Sequence, residues 1–131
     1  MSENKLKEMA IEAATKAYAP YSKFKVGCAL LTTSGNIYTG CNVENASFGL
    51  TTCAERNAIA NAVNSEGAIG ILSIVVYTST PTPTPPCGAC RQVIYEFAKN
   101  TTTISYCDSE EVFHHSINDL LPGAFEFKNK K

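Results

Sequence analysis

Apolar residues recur at Leu6, Met9, Ala10, Ala13, Ala14 and Ala17. That spacing predicts a helix from Ser2 to about Tyr18. Pro20 should end it, because the residue before a proline disfavours helical geometry. "FKVGCALL" then alternates, with Phe24, Val26, Cys28 and Leu30 on one face of a strand. "TTSGN", containing Gly35, reads as a hairpin turn into a second strand, "IYTGCNVEN", which runs out into a loop. A second helix is expected from about Thr52 to Asn64. "ILSIVVYT" is continuously apolar and β-branched, the pattern of a central strand covered on both faces. "STPTPTPP" cannot be helical; its prolines favour a stiff extended strap that fixes the position of the next element. Then come a third helix, "GACRQVIYEFAK", and two shorter strands, "TTTISYC" and "EEVFHHS". Ser116 can cap a last short helix, "INDLL", which Pro122 and Gly123 stop.

The order α-β-β-α-β-α-β-β has topological consequences. A strand–helix–strand crossover joins parallel strands, whereas the first hairpin must be antiparallel. The fold expected is α/β, a three-layer α/β/α sandwich around a five-stranded mixed sheet. No repeat or boundary interrupts the 131 residues, so one domain spanning 1–131 is expected. A chain of this length buries roughly two-thirds of the surface it exposes when unfolded.

The formal net charge of −1 argues against a nucleic-acid-binding surface, which would carry a basic excess. No apolar run approaches the roughly 20 residues of a membrane span, and the first residues lack the apolar stretch of a secretion signal. The expected location is therefore cytoplasmic. In a reducing compartment the six cysteines are better read as buried apolar residues, metal ligands or catalytic thiols than as disulfides. Cys28, Cys41 and Cys107 fall in strands and read as core.

The other three stand at helix starts. Cys87 and Cys90 have C-x-x-C spacing, and Cys53 opens the second helix two residues ahead of Glu55. A redox pair, a structural zinc site and a catalytic zinc site all compete for such a pair. A structural site needs four ligands, and neither a second C-x-x-C nor a C-x-x-H is present. Helix N-termini carry unpaired amide hydrogens and partial positive charge, which stabilise the thiolates a metal requires. Two such ends facing each other can hold three thiolates around one Zn²⁺ and leave a fourth position for water. Glu55 would then reach the edge of the site without being a ligand, placed to accept a proton. Three thiolates outweigh the charge of one Zn²⁺, so Arg56 or Arg91 is expected to donate to sulfur and withdraw charge.

"CAE" followed by "PCGAC" matches the nucleobase deaminase signature, in which a glutamate is not a ligand. Together with "AYAPYSKFKVG", "GCNVENASFG", "TCAERNAI", "PCGACRQ" and "LLPGAF", in that order, the chain resembles the small zinc-dependent cytidine deaminases of the homotetrameric class over almost its whole length. The resemblance implies one zinc per chain on Cys53, Cys87 and Cys90, with Glu55 as proton shuttle and Arg56 offsetting thiolate charge. It implies that Asn42 and Glu44 grip the ribose and that Phe24 packs on the pyrimidine. The backbone near Ala54 would read the exocyclic amine, and Phe125 would reach the base from a neighbouring subunit. The implied reaction is hydrolysis of cytidine and deoxycytidine to uridine and deoxyuridine plus ammonia, in pyrimidine salvage. Phe48 departs from the family, where many relatives carry a tyrosine whose hydroxyl meets the sugar.

Plainer readings stand beside these. Asn42 and Glu44 can merely shape a loop, Phe24 can be core, and Phe125 can plug its own subunit. His114 and His115 are adjacent on a strand, hence on opposite faces, and cannot serve one metal together. Rival functions are a thiol redox or structural zinc module, for which Cys53 and Glu55 are superfluous, a deaminase of another aminopyrimidine nucleoside, and a polynucleotide editor, which the charge disfavours.

Overall fold

The computed structural model describes residues 3–98 and 101–127, so Ser2 and Lys99, expected at two helix ends, lie outside it. Helices are α1 (Glu3–Ala14), α2 (Ala54–Glu66), α3 (Gly88–Phe97) and α4 (Ile117–Leu120). Strands are β1 (Val26–Thr32), β2 (Ile37–Cys41), β3 (Ile71–Thr78), β4 (Thr102–Tyr106) and β5 (Phe113–Ser116). The strand order is β2-β1-β3-β4-β5. Only β3 and β4 pair in parallel; the other neighbours are antiparallel.

Alternation along the strands builds the layers. Val26, Cys28, Leu30, Ile74 and Val76 face α2 and α3, where they meet Ala58, Ile59, Ala62 and Ile94. Ala29, Val75, Ile104 and Tyr106 face the other way, onto Leu6 and Ala10 of α1. The result is the expected α/β/α sandwich on a five-stranded mixed sheet. Each fully buried aliphatic side chain, such as Leu30, Ile74 or Ile94, contributes about 1.5–3 kcal/mol.

Both helices of the second layer start at one end of the sheet. Strands β2 and β3 each run antiparallel to β1, which lies between them, so they point the same way. Helix α2 follows β2 and α3 follows β3. The two N-termini therefore emerge above the same edge of the sheet, on the same face. Small residues let the layers close: a Cβ on Gly40 would overlap the Ala58 amide nitrogen and reach 2.6 Å from the Ala54 carbonyl oxygen.

Several boundaries differ from the sequence reading. Helix α1 stops at Ala14 rather than near Tyr18. Thr15, Lys16 and Ala17 wind into tighter i→i−3 turns, and the Tyr18 amide donates to the Asn42 carbonyl 3.0 Å away, drawing the chain off the helix axis before Pro20. Helix α2 begins two residues later than expected, with Cys53 as its N-cap, and runs on to Glu66. Strand β5 starts at Phe113, because the preceding residues wrap around Cys107, whose sulfur accepts from the Ser109 amide at 3.4 Å.

The last residue of α2 ties down the first hairpin. The Glu66 carboxylate accepts from Tyr38 Oη at 2.7 Å, Asn36 Nδ2 at 2.8 Å, Ser34 Oγ at 2.8 Å and Thr32 Oγ1 at 3.3 Å. These donors, Asn36 first, hold its pKa below the usual 4.5. The unfolded chain binds the proton more readily, so this contribution to stability is present above about pH 4.5 and is lost as the pH falls through the native value. Glu66→Gln should lower the urea midpoint at pH 7, and the gap from wild type should close as the pH drops below about 4.5.

Candidate functional site

The converging helix starts bring the three cysteines together. Cys53 caps α2 in extended geometry (φ −77°, ψ 156°), and Cys87 does the same for α3 (φ −68°, ψ 168°). Cys90 follows in the first turn of α3 and is fully buried. All three sulfurs lie within 4.8 Å of one another, and Cys53 Sγ is 3.8 Å from Cys87 Sγ. Two thiolates each about 2.3 Å from one ion at a tetrahedral angle stand about 3.8 Å apart. The Cys53–Cys87 separation is that of two sulfurs on one Zn²⁺, and the donor set of three sulfurs is the soft kind zinc takes.

The electrostatics agree. Arg56 Nη2 donates to Cys53 Sγ at 3.5 Å. Hydrogen bonding from Cys90, then from Arg56 and Cys87, brings the Cys53 thiol down to about 5 against the cost of burial. The same bond to Cys53, reinforced by burial, pushes the Cys90 thiol up. Burial and the closeness of the sulfurs oppose more than one thiolate here, so further ionisation calls for a cation among them. Of the two arginines weighed from the sequence, Arg56 is the one on sulfur. Arg91 donates instead to the Pro86 and Leu120 carbonyls.

Glu55 is 5 % exposed. Burial is the main cause that lifts its pKa from 4.5 to about 7, helped by the Cys53 thiolate and opposed by Arg56. A carboxyl near neutrality exchanges a proton in either direction, the property an acid–base group needs.

A cavity of about 220 Å³ opens over these groups. Of the residues picked out by sequence, Phe24, Asn42, Glu44, Cys53, Ala54, Glu55 and Cys87 line it. Cys90 and Arg56 are not on its wall, although both contact Cys53 through hydrogen bonding. Phe125 stands apart, 72 % exposed, its carbonyl accepting from Gln92 Nε2 at 3.2 Å. Val26, Thr51, Val76, Thr78, Thr84 and Pro85 also line the cavity, and the sequence reading named none of them as site residues. A signal existed for Val76 and Thr78: they share the face of β3 that ends beneath the helix starts. For Thr84 and Pro85 the strap gave none.

Asn42 and Glu44 both shape the loop that carries Phe24. Asn42 Oδ1 accepts from the Val26 amide at 2.9 Å, and its Nδ2 donates to the Phe24 carbonyl at 2.7 Å. One amide hydrogen and one lone pair remain for a ligand. Glu44 accepts from the amides of Tyr21 (2.9 Å) and Ser22 (3.1 Å) and from the Ser22 hydroxyl. That hydroxyl is the main reason its pKa lies below the usual carboxylate range, so it meets the cavity as an ionised acceptor. His114 and His115 lie on β5, far along the sheet order from β1 and β2, and neither lines the cavity.

Comparison with known proteins agrees with this geometry. The family described as "Cytidine and deoxycytidylate deaminase zinc-binding region" matches residues 1–106. Cytidine deaminase of Halalkalibacterium halodurans is 44% identical over 126 residues, 95% of each chain. That of Mycoplasma pneumoniae is 46% identical over 116 residues, covering 87% of this chain and 86% of its own. The crystal structure of cytidine deaminase from Burkholderia pseudomallei superposes with a TM-score of 0.91 at 46% identity, over 95% of this chain and all of the other. That from Mycobacterium tuberculosis gives 0.83 at 37% identity, over 97% and 99%. With a family match across most of its length and relatives this similar from end to end, the chain belongs to the zinc-binding cytidine and deoxycytidylate deaminase family.

Proposed function

We propose that this enzyme hydrolyses cytidine and deoxycytidine to uridine and deoxyuridine plus ammonia, in pyrimidine salvage. Cys53, Cys87 and Cys90 hold one zinc ion, and Glu55 carries the proton. The observation that carries the reading is Glu55: a buried carboxyl with a pKa of about 7, beside three clustered sulfurs on the wall of a nucleoside-sized cavity. The cytidine deaminases similar to this chain along nearly their whole length support the substrate.

Bound zinc supplies the Lewis acidity that makes water a nucleophile at neutral pH. Glu55 takes a proton from the attacking water as it adds to C4 of the cytosine ring. The same carboxyl delivers that proton to N3, then takes the remaining proton from the new C4 hydroxyl and passes it to the amine, which departs as ammonia while the C4 carbonyl forms. A group near pH 7 suits all of these transfers, since it is neither too weak a base nor too weak an acid. Phe24 packs on the ring, and the backbone at Ala54 accepts from the exocyclic amine. Asn42 and Glu44 use their remaining hydrogen-bonding capacity on the ribose hydroxyls. Arg56 offsets thiolate charge.

The working form is a cytoplasmic homotetramer. Tyr18, Tyr21, Val43, Phe48, Leu50 and Phe125 are exposed apolar side chains, all but Phe125 in the segments flanking the cavity. Exposure on this scale favours burial against another copy, with Phe125 entering a neighbour's site. Metal analysis of purified protein alongside ultraviolet measurement of cytidine loss tests the reading. About one zinc per chain with uridine formed is expected, and zinc-loaded protein without uridine would overturn it.

Phe48 is 75 % exposed, its ring edge-on to Tyr21 beside Glu44 and Ser22. A hydroxyl added there would gain one neutral hydrogen bond, worth about 0.5–1.5 kcal/mol. Phe48→Tyr should therefore raise kcat/KM by about two- to tenfold, mostly through KM, and a fall would count against a sugar contact at this position.

A further inference from the structure

Cys87 is the exposed member of the sulfur cluster, so packing holds it least. The chain leading to it is also weakly tied. Pro83, Pro85 and Pro86 have no amide hydrogen to donate. Among the described residues, only one hydrogen bond engages 83–86, and Arg91 makes it: Nε donates to the Pro86 carbonyl at 2.7 Å. The amide of the same residue donates to the Cys87 carbonyl at 2.9 Å. Arg91 therefore holds the two carbonyls on either side of the Cys87 α-carbon. The other arm of its guanidinium, Nη1, donates at 3.0 Å to the carbonyl of Leu120, the last residue of α4. Helix ends leave such carbonyls without an intrahelical partner.

We propose that Arg91 is a positioning residue for the metal centre, one that sets the place of the Cys87 sulfur by clamping the strap to α3 and anchoring that clamp on α4. This rests on the reading of the three cysteines as ligands. The charge does not act on sulfur directly, as Arg56 does. The fork geometry of the guanidinium matters, because Nε and Nη1 reach two carbonyls from elements 34 positions apart. Lysine, a single point donor, can satisfy one of them but not both in this geometry. The helical amide bond of residue 91 survives any substitution except proline. What a variant removes is the hold on Pro86 and its anchor on Leu120.

The test compares zinc-loaded wild type with Arg91→Gln, Arg91→Lys and Gln92→Ala. Gln92→Ala cuts the neighbouring tie from α3 to the Phe125 carbonyl and leaves the strap alone. Zinc release to an excess of coloured chelator is followed, together with the visible absorption of the cobalt-substituted proteins. Groups that orient metal ligands typically affect metal affinity 10–100-fold. Release from Arg91→Gln should be about 10–100-fold faster than from wild type, with a shifted cobalt spectrum. Arg91→Lys should fall between, and Gln92→Ala should match wild type in both. Wild-type release and spectrum in both Arg91 variants would overturn the proposal, as would an equal effect from Gln92→Ala, which would mark general loosening of α3. Should Arg91→Gln fail to fold, Arg91→Lys against Gln92→Ala decides by the same readings. Wild-type protein that takes up neither zinc nor cobalt would instead sink the ligand assignment itself, and this role with it.

Discussion

Glu55→Gln is expected to abolish most of the activity while leaving the metal in place and making the metal-free protein more stable. Glutamine keeps the shape of the side chain but can neither take nor release a proton at these pH values. One positioned proton transfer is typically worth about 10²–10⁴-fold, and in the proposed cycle one carboxyl serves several. A loss of at least about 10³-fold in kcat is expected, with zinc content unchanged. A variant that loses zinc would make Glu55 a ligand rather than a proton carrier. The gain in stability has a definite sign. The native carboxyl holds its proton up to about pH 7, whereas the usual value is 4.5. Between those values the native state binds more protons than the unfolded state, so stability falls as the pH rises. Above pH 7 the whole penalty is felt, on the order of 3 kcal/mol for a group this buried. Glutamine carries none of it. Thermal unfolding of the metal-free proteins should put the variant above wild type at pH 8, with the gap from wild type shrinking steadily towards pH 4.5.

Gly27→Ala should have the largest effect on stability. Strand β1 lies directly beneath α1 at this residue. A Cβ there would overlap the Ala10 carbonyl oxygen and sit 2.6 Å from the Ala14 amide nitrogen. Those atoms are helix backbone and cannot rotate aside, so α1 must lift from the sheet. That would loosen Leu6 and Ala10 from Ala29 and Val75. Overpacking usually costs about 1–3 kcal/mol. A clash with backbone on both sides belongs above that range, at about 3–5 kcal/mol, or roughly 10 °C or more in Tm. Unfolding of Gly27→Ala within about 1 kcal/mol of wild type, the low end of ordinary overpacking, would show that α1 is held less closely than its packing implies. The variant leaves every cavity-lining residue intact, so it separates loss of fold from loss of chemistry.

The layers and the sulfur cluster were legible in the sequence because each rests on local pattern. Alternation put Phe24, Val26, Cys28 and Leu30 on one face, and the structure packs all four on the α2 side. Three cysteines at two helix starts stood out as candidates, and the resemblance to the deaminases joined them into one set. What escaped depends on partners distant along the chain. Apolar spacing continues to Ala17, yet the helix stops at Ala14 because Tyr18 pairs with Val43, 25 positions later. Nothing near Arg91 in the sequence announces that it reaches Leu120. Asn42 and Glu44 were readable as polar loop residues. Their grip on the segment from Tyr21 to Val26 appears only when that loop folds over them.

The shared direction of β2 and β3 has a consequence for how the molecule holds together. Cys53 and Cys87 are separated by 34 positions of chain, including all of α2 and β3. One ion joining them is a removable cross-link, and like any cross-link it narrows the wandering of the open chain more the longer the ring it ties. Chelation would therefore do more than silence the chemistry. It would untie the two halves of the second layer where they meet, and local opening would begin at the mouth of the cavity rather than at the chain ends.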